Sequence, residues 1–267
     1  VYAADSGGAY WRVYEYLDGT ETLEAVDSPA RAREAARAFA VFLDMLRDLP
    51  APPLHETIPD FHNTPKRLAD LKSAVADDRV GRVRAVRPEL DFALSREAWA
   101  GILVREQIAG ALPLRCTHND TKINNIRFDC QTGRGGAVID LDTVMPGSAL
   151  YDFGDAVRAA TNSAAEDEQD LSKVFFDMEI FEHLTRGYLD ASRAFLTQTE
   201  LDYLAFSARL MTFECGMRFL ADHLDGDVYF KVHRKNHNLD RCRTQFKLVQ
   251  DMERQFDRML HIVDNQW

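Results

Sequence analysis

"LRCTHNDTKINNIRFD", residues 114–129, sets a histidine, two aspartates and paired asparagines between two apolar stretches. His118, Asp120 and Asn125 fall as H-x-D-x-x-x-x-N, and Asp140 follows twenty residues after Asp120 at the end of a predicted strand. Transfer of a γ-phosphoryl group asks little covalent chemistry of a protein. It needs an oriented acceptor hydroxyl and metal ions that neutralise phosphate charge. A carboxylate can do the first, and a carboxylate with an amide oxygen can do the second. Asp120 is therefore the candidate base that accepts or orients a substrate hydroxyl, with Asn125 and Asp140 as candidate Mg2+ ligands against nucleotide phosphates. Asp142, two residues on in the same strand, is expected to share the face of Asp140 and support the metal. Lys122 is placed to meet the transferring phosphate, and His118 to brace the loop through hydrogen bonds. Taken singly, each residue also suits a turn rich in capping and Asx-forming side chains; four fixed positions followed by a strand favour a catalytic loop.

Working outward, "NNIRFDCQTGRGGAVIDLD" gives two short apolar runs around a Gly-rich turn, a predicted hairpin. Towards the N-terminus, Asp5-Ser6-Gly7-Gly8 separates two aromatic and β-branched runs, a second hairpin whose later strand should run from Tyr10 to Leu17. At Ser28 the pattern turns helical. Ser28 is a good N-cap and Pro29 fits the first helical position, while Phe39, Phe42, Leu43 and Leu46 share one face until Pro50, Pro52 and Pro53 stop the helix. Further helices are expected over 64–78 and 95–109, then over about 170–195, 199–223 and 240–262. There is no internal repeat.

A chain of 267 residues with 46% hydrophobic and 28% charged content is an ordinary globular composition. No apolar run reaches bilayer length and no basic-then-apolar leader opens the chain, so no membrane contact and a cytoplasmic location are expected. Cys116, Cys130, Cys215 and Cys242 form no C-x-x-C pair, which argues against zinc and against a disulfide framework. The net charge of −11 argues against nucleic acid as a partner, while permitting a cationic substrate or a metal-gathering site. Oligomeric state is not legible. The chain opens on valine in what reads as the middle of a sheet, so it is expected to be part of a longer protein.

On the loop, the strand aspartate and the phrases "VIDLDTVMPGSALYDFGDAVR" and "IPDFHNTPKRL", the sequence resembles the aminoglycoside phosphotransferase and choline kinase superfamily. Within that superfamily it resembles the N-acetylhexosamine 1-kinases. The resemblance implies a protein-kinase-like α+β fold: residues 1–19 as a remnant of the N-terminal lobe and hinge, and 20–267 as a mainly helical C-terminal lobe with an embedded β-hairpin. It implies ATP and Mg2+ as cofactors, and adenine bound by the backbone of Glu15 and Leu17 in the hinge "RVYEYLDG". It also implies a sugar contacted by Arg218 and Tyr229, phosphorylated on its anomeric hydroxyl. Leu204, Ala208, Met211 and Cys215 form an apolar stripe that Arg218 continues, so Arg218 needs a partner. Glu214, four residues before, would make a purely structural ion pair with it.

Two features complicate the resemblance. The family's Gly-rich phosphate loop and strand lysine have no counterpart before Tyr10. Asp152-Phe153-Gly154 spells the metal-binding tripeptide of protein kinases, but it lies thirty-two residues beyond Asp120 and follows a Pro-Gly turn. Asp152 is therefore expected to cap the next helix or brace the loop, and the metal is left to Asp140. The rival expectations are a kinase for a cationic acceptor such as an aminoglycoside or choline, and a non-catalytic kinase-like binding module.

Overall fold

In a computed structural model of the protein, which describes residues 2–49 and 54–265, the chain begins with the predicted hairpin: β1 (Ala3–Ala4) pairs antiparallel with β2 (Tyr10–Trp11). Asp5 closes the turn, its Oδ1 accepting the N–H groups of Gly7 and Ala9 and its Oδ2 that of the Trp11 indole. The strand expected to reach Leu17 stops at Trp11. Residues 12–17 have no strand neighbour among the described residues, and Val13, Tyr14 and Tyr16 stand exposed. Aromatic and β-branched content favours a strand only where another strand supplies partners for its N–H and C=O groups. A short β3 (Thr20–Glu21) follows, which the sequence did not announce.

Helix α1 (Pro29–Met45) starts as expected, with the Ser28 hydroxyl accepting the Arg31 N–H at 3.4 Å and Pro29 in the first turn. It ends at Leu46, before the three prolines read as its stop, which lie outside the described residues. The Asn63 side chain caps α2 (Thr64–Asp77). The helix expected over 95–109 is broken at Gly101, a poor helix former, into α4 (Glu97–Ala100) and α5 (Ile102–Ile108), preceded by α3 (Arg87–Leu94).

Strand β4 (Arg115–Thr117) leads into the polar loop, and β5 (Ile126–Asp129) and β6 (Gly135–Val138) form the expected hairpin. β3 adds to the free edge of β5, giving the order β3-β5-β6, while β4 pairs separately with β7 (Met145–Gly147). The loop after β4 is therefore tied to one sheet at its start and to another at its end. Behind the hairpin, Ile123, Ile126 and Phe128 pack on Ala35, Ala38 and Phe39 of α1.

The remainder is helical: α6 (Ala149–Ala160), α7 (Met178–Ser192), α8 (Gln198–Asp225), α9 (His237–Arg254) and α10 (Phe256–Asp264). The helix expected from about 170 begins only at Met178, because Asp177 caps its first turn, accepting the N–H groups of Glu179 and Ile180. The single helix expected over 240–262 is two, separated at Gln255. α8 is buried almost throughout and forms the centre of the helical body, with α6, α9 and α2 packed around it. Among the described residues no helix is long and apolar enough to cross a membrane.

The crossing of α6 over α8 accounts for Gly154. A Cβ there would sit 2.5 Å from both the Met211 Cγ and the Ser207 carbonyl oxygen. The glycine of the kinase-like tripeptide thus serves helix packing in this chain. Gly154→Ala should destabilise the fold by about 1–3 kcal/mol through overpacking. A thermal melt indistinguishable from wild type would show that the two helices are not in such close contact.

Candidate active site

The polar loop is organised by Asp152, one turn into α6 and only 2% exposed. Its Oδ2 accepts the His118 N–H at 2.9 Å and its Oδ1 the Asn119 N–H at 2.7 Å, and its own carbonyl accepts the Thr121 hydroxyl at 2.6 Å. Burial pushes the Asp152 carboxyl above the usual carboxylate range, against the pull of the two loop N–H donors. Asn119 adopts the left-handed conformation, φ 64°, and every polar group it carries is engaged: its side chain spans Thr117 and the Thr143 carbonyl. The His118 ring lies edge-on to Phe39 and Phe42. Its Nε2 donates to the Ile139 carbonyl at 2.9 Å, which leaves Nδ1 to accept the Asp120 N–H at 3.3 Å and fixes the neutral tautomer.

Asp120 is thereby presented at the tip of the loop. Its Oδ1 lies 2.8 Å from the Lys122 Nζ, and the Asn125 amide donates to its carbonyl at 2.8 Å and to its Oδ2 at 3.3 Å. Burial works against the charge of Lys122, but Asp120 and Asp155 outweigh it and hold the ammonium above its ordinary pKa. The Ile139 N–H donates to the Asn125 carbonyl at 2.9 Å, so Asp140, the next residue, emerges beside Asn125.

Two strand-based expectations are corrected here. β6 ends at Val138, and Asp140 sits beyond it at φ 59°, heading a 3-10 turn over Leu141–Thr143. Asp142 lies inside that turn, so the alternation of a strand does not place it on the face of Asp140. Its exposed carboxylate is instead paired with Arg12. The carboxylate of Asp140 has no hydrogen-bond or ion-pair partner among the described residues. Nor do three or more His, Cys, Asp or Glu side chains cluster as metal ligands among them.

Asp120 and Lys122 border a cleft of about 400 Å³ whose far wall holds Arg218 and Tyr229. The alternative in which Glu214 pairs with Arg218 is not realised, because the Glu214 oxygens lie at 3.0 Å from His62 and 2.5 Å from the Thr64 hydroxyl. The Arg218 guanidinium rests against the rings of Phe61, Phe230 and Tyr229, at 5.0, 5.6 and 5.9 Å from their centroids, with no protein acceptor among the described residues. Tyr229 is two-thirds exposed, and its N–H is held by Asp222 at 2.7 Å. Glu15 and Leu17 lie outside any strand, and the Leu17 carbonyl already accepts the Thr20 hydroxyl at 2.7 Å.

Sequence reading passed over Asp155, which accepts the Thr121 N–H at 3.1 Å and pairs with the buried Arg158 at 2.7 Å. Burial opposes its charge, yet Arg158 and Lys122 hold it below the usual carboxylate range. Arg158 continues to Glu166 at 3.1 Å, and Glu166 to Arg241 at 3.6 Å, so a row of alternating charge lines the cleft. The available signal was the D-x-x-R spacing on one helical face, which brings such a pair together.

Residues 1–179 match the APH family, described as the phosphotransferase enzyme family. In fold the chain resembles a choline kinase from Cryptosporidium parvum Iowa II, with a TM-score of 0.55 at 15% identity, over 98% of this chain and 76% of that one. Weaker likenesses are to an ethanolamine kinase of Plasmodium vivax (TM-score 0.48, 15% identity, 86% of this chain and 63% of that one). An ADP-bound aminoglycoside phosphotransferase also matches (TM-score 0.43, 16% identity, 84% and 66%). The expected fold class holds: the architecture is protein-kinase-like, mostly helical with small sheets. With the match running over residues 1–179, well beyond half its length, the chain belongs to the phosphotransferase enzyme family.

Proposed function

We propose that the protein transfers the γ-phosphoryl group of ATP to the anomeric hydroxyl of an N-acetylhexosamine. The observation that carries this reading is Arg218: a guanidinium on the wall of the Asp120 cleft, ringed by three aromatic side chains, with five N–H donors and no protein acceptor among the described residues. Such a group suits the neutral oxygens of a sugar and its acetamide, and it opposes a cation. Lys122, Arg158, Arg218, Lys231 and Arg241 border the same cleft, against Asp120, Asp155, Glu166 and Glu214, so the cleft is not an anionic trap despite the acidic chain.

The residues present fit the divalent metal that the family implies. The side-chain NH2 of Asn125 is turned to Asp120, which leaves the side-chain oxygen Oδ1 for a hard cation, and Asp140 beside it offers a carboxylate unpaired among the described residues. Carbonyl and carboxylate oxygens are the donors Mg2+ takes while keeping several waters. Asp142, engaged by Arg12, would act only in support. When bound, Mg·ATP supplies the phosphoryl group and a shielded leaving ADP. Asp120 accepts the proton of the attacking hydroxyl, and its contact with Lys122 keeps the carboxylate aimed into the cleft. Lys122, beside Asp120, would meet the negative charge of the transferring group. The backbone of Glu15 and Leu17 would meet the adenine.

A cationic acceptor is the second reading, favoured by the aromatic side chains Phe61, Phe230 and Tyr229, which are the kind that hold ammonium groups. Those rings already host a guanidinium, and for that reason the sugar is preferred.

Asp120→Asn should lower kcat for sugar-dependent ADP release on the order of a hundredfold or more. Near-normal turnover would remove Asp120 from its role. Asp140→Ala should abolish Mg-dependent ATP binding in calorimetry with little change in melting. Asp152→Ala should instead cost about 2–4 kcal/mol, since it strands two buried N–H donors; the reverse pattern would exchange the two assignments. Arg218→Ala should raise KM for the sugar much more than for ATP. Comparing N-acetylglucosamine, N-acetylgalactosamine, choline and kanamycin as acceptors decides the substrate, and turnover confined to the cations would overturn the hexosamine reading.

A further inference from the structure

His62 lies just before α2, far from the loop in sequence, and is buried behind it. Its Nε2 is 3.0 Å from the Asn119 carbonyl and its Nδ1 is 3.0 Å from the Glu214 Oε1. A carbonyl oxygen can only accept, and so can a carboxylate, so both ring nitrogens must donate. That requires the imidazolium. The second Glu214 oxygen accepts the Thr64 hydroxyl, so each oxygen of the carboxylate holds one hydrogen bond.

Asn119 is gripped at both of its peptide groups: the N–H of the first by Asp152 and the carbonyl of the second by His62. That second peptide is the one whose N–H belongs to Asp120, donated to the His118 Nδ1. Asn119 has a positive φ, a conformation a non-glycine residue keeps only where its surroundings impose it. We propose that His62, held as an imidazolium between Glu214 and the Asn119 carbonyl, is a positioning residue that sets the aim of Asp120 for phosphoryl transfer. This rests on the reading of Asp120 as the base.

The charged and titratable groups facing His62 are Glu214 and Arg218 on α8 and Asp155, Asp152 and Tyr151 on α6. The three carboxyl groups favour the cation, Arg218 opposes it, and burial keeps Tyr151 neutral. Burial disfavours the charge on His62, but Glu214 outweighs it, so the ring titrates above its ordinary value and Glu214 below its own. The contribution of His62 is therefore complete below the ordinary histidine pKa of about 6.5. It is lost only as pH rises through the higher folded value, so catalysis should fall on an alkaline limb that belongs to His62.

The test combines ring-nitrogen NMR with kinetics. In the 15N-histidine-labelled protein at pH 7, above the ordinary histidine pKa, both nitrogens of His62 should read as protonated; a neutral ring at that pH overturns the proposal. His62→Gln should lower kcat roughly tenfold to a hundredfold, the scale of a small misalignment of reacting groups. KM for ATP and sugar should change little. A folded His62→Gln protein with wild-type kcat overturns the proposal. Should that variant not fold, Glu214→Gln decides: it weakens the hold on the imidazolium, so the alkaline limb must move to lower pH, and a limb that stays in place is contrary. Failure of the wild type to phosphorylate any N-acetylhexosamine would sink the substrate reading alone, because the same kcat comparison can then be made on ATP hydrolysis with water as acceptor.

Discussion

Everything chemical in this molecule hangs from one buried carboxylate. Asp152 holds the His118 and Asn119 N–H groups from the first turns of α6, and α6 is itself locked against α8 by the close approach at Gly154. Removed from water, a carboxylate is costly unless its lone pairs are used. Here they are used to hold a loop in a shape it would not keep alone. Stability and site geometry are therefore the same set of contacts.

The second consequence is rigidity with an opening at one place. His118, Asn119 and Thr121 are buried and fully engaged, whereas Asp120 is partly exposed at the tip. Buried scaffold and a partly exposed carboxylate thus sit side by side within four residues of chain. A short loop can do this because β4 and β5, at its ends, belong to different sheets and cannot slide together.

Much of this was legible beforehand. Ser28-Pro29, the hairpin around Gly133, the long α8 and the spacing of His118, Asp120 and Asn125 all carry local signals, caps, turns and periodicity, that need no tertiary context. The failures share a cause. The strand beyond Trp11 and the face of Asp142 follow from local spacing, as does the alternative of an Arg218–Glu214 ion pair, but each depends on what lies opposite. Glu214 is claimed by His62 and Thr64, about 150 residues away in sequence. Asp140 left the strand because its backbone turned left-handed. His62 itself gave no signal, since a histidine before a helix cap is unremarkable until its two acceptors are seen.

The row from Asp120 through Lys122, Asp155, Arg158 and Glu166 to Arg241 alternates in sign along the cleft. Such a row behaves as an oriented polar medium rather than as a charge of either sign. Water would have to reorient as negative charge moves during phosphoryl transfer, and that reorganisation is a large part of the barrier in solution. Side chains that already restrain one another have little left to reorganise. On the proposed reading such a row would stand in for part of the water's response, with a polarity set at the moment of folding, before any substrate arrives.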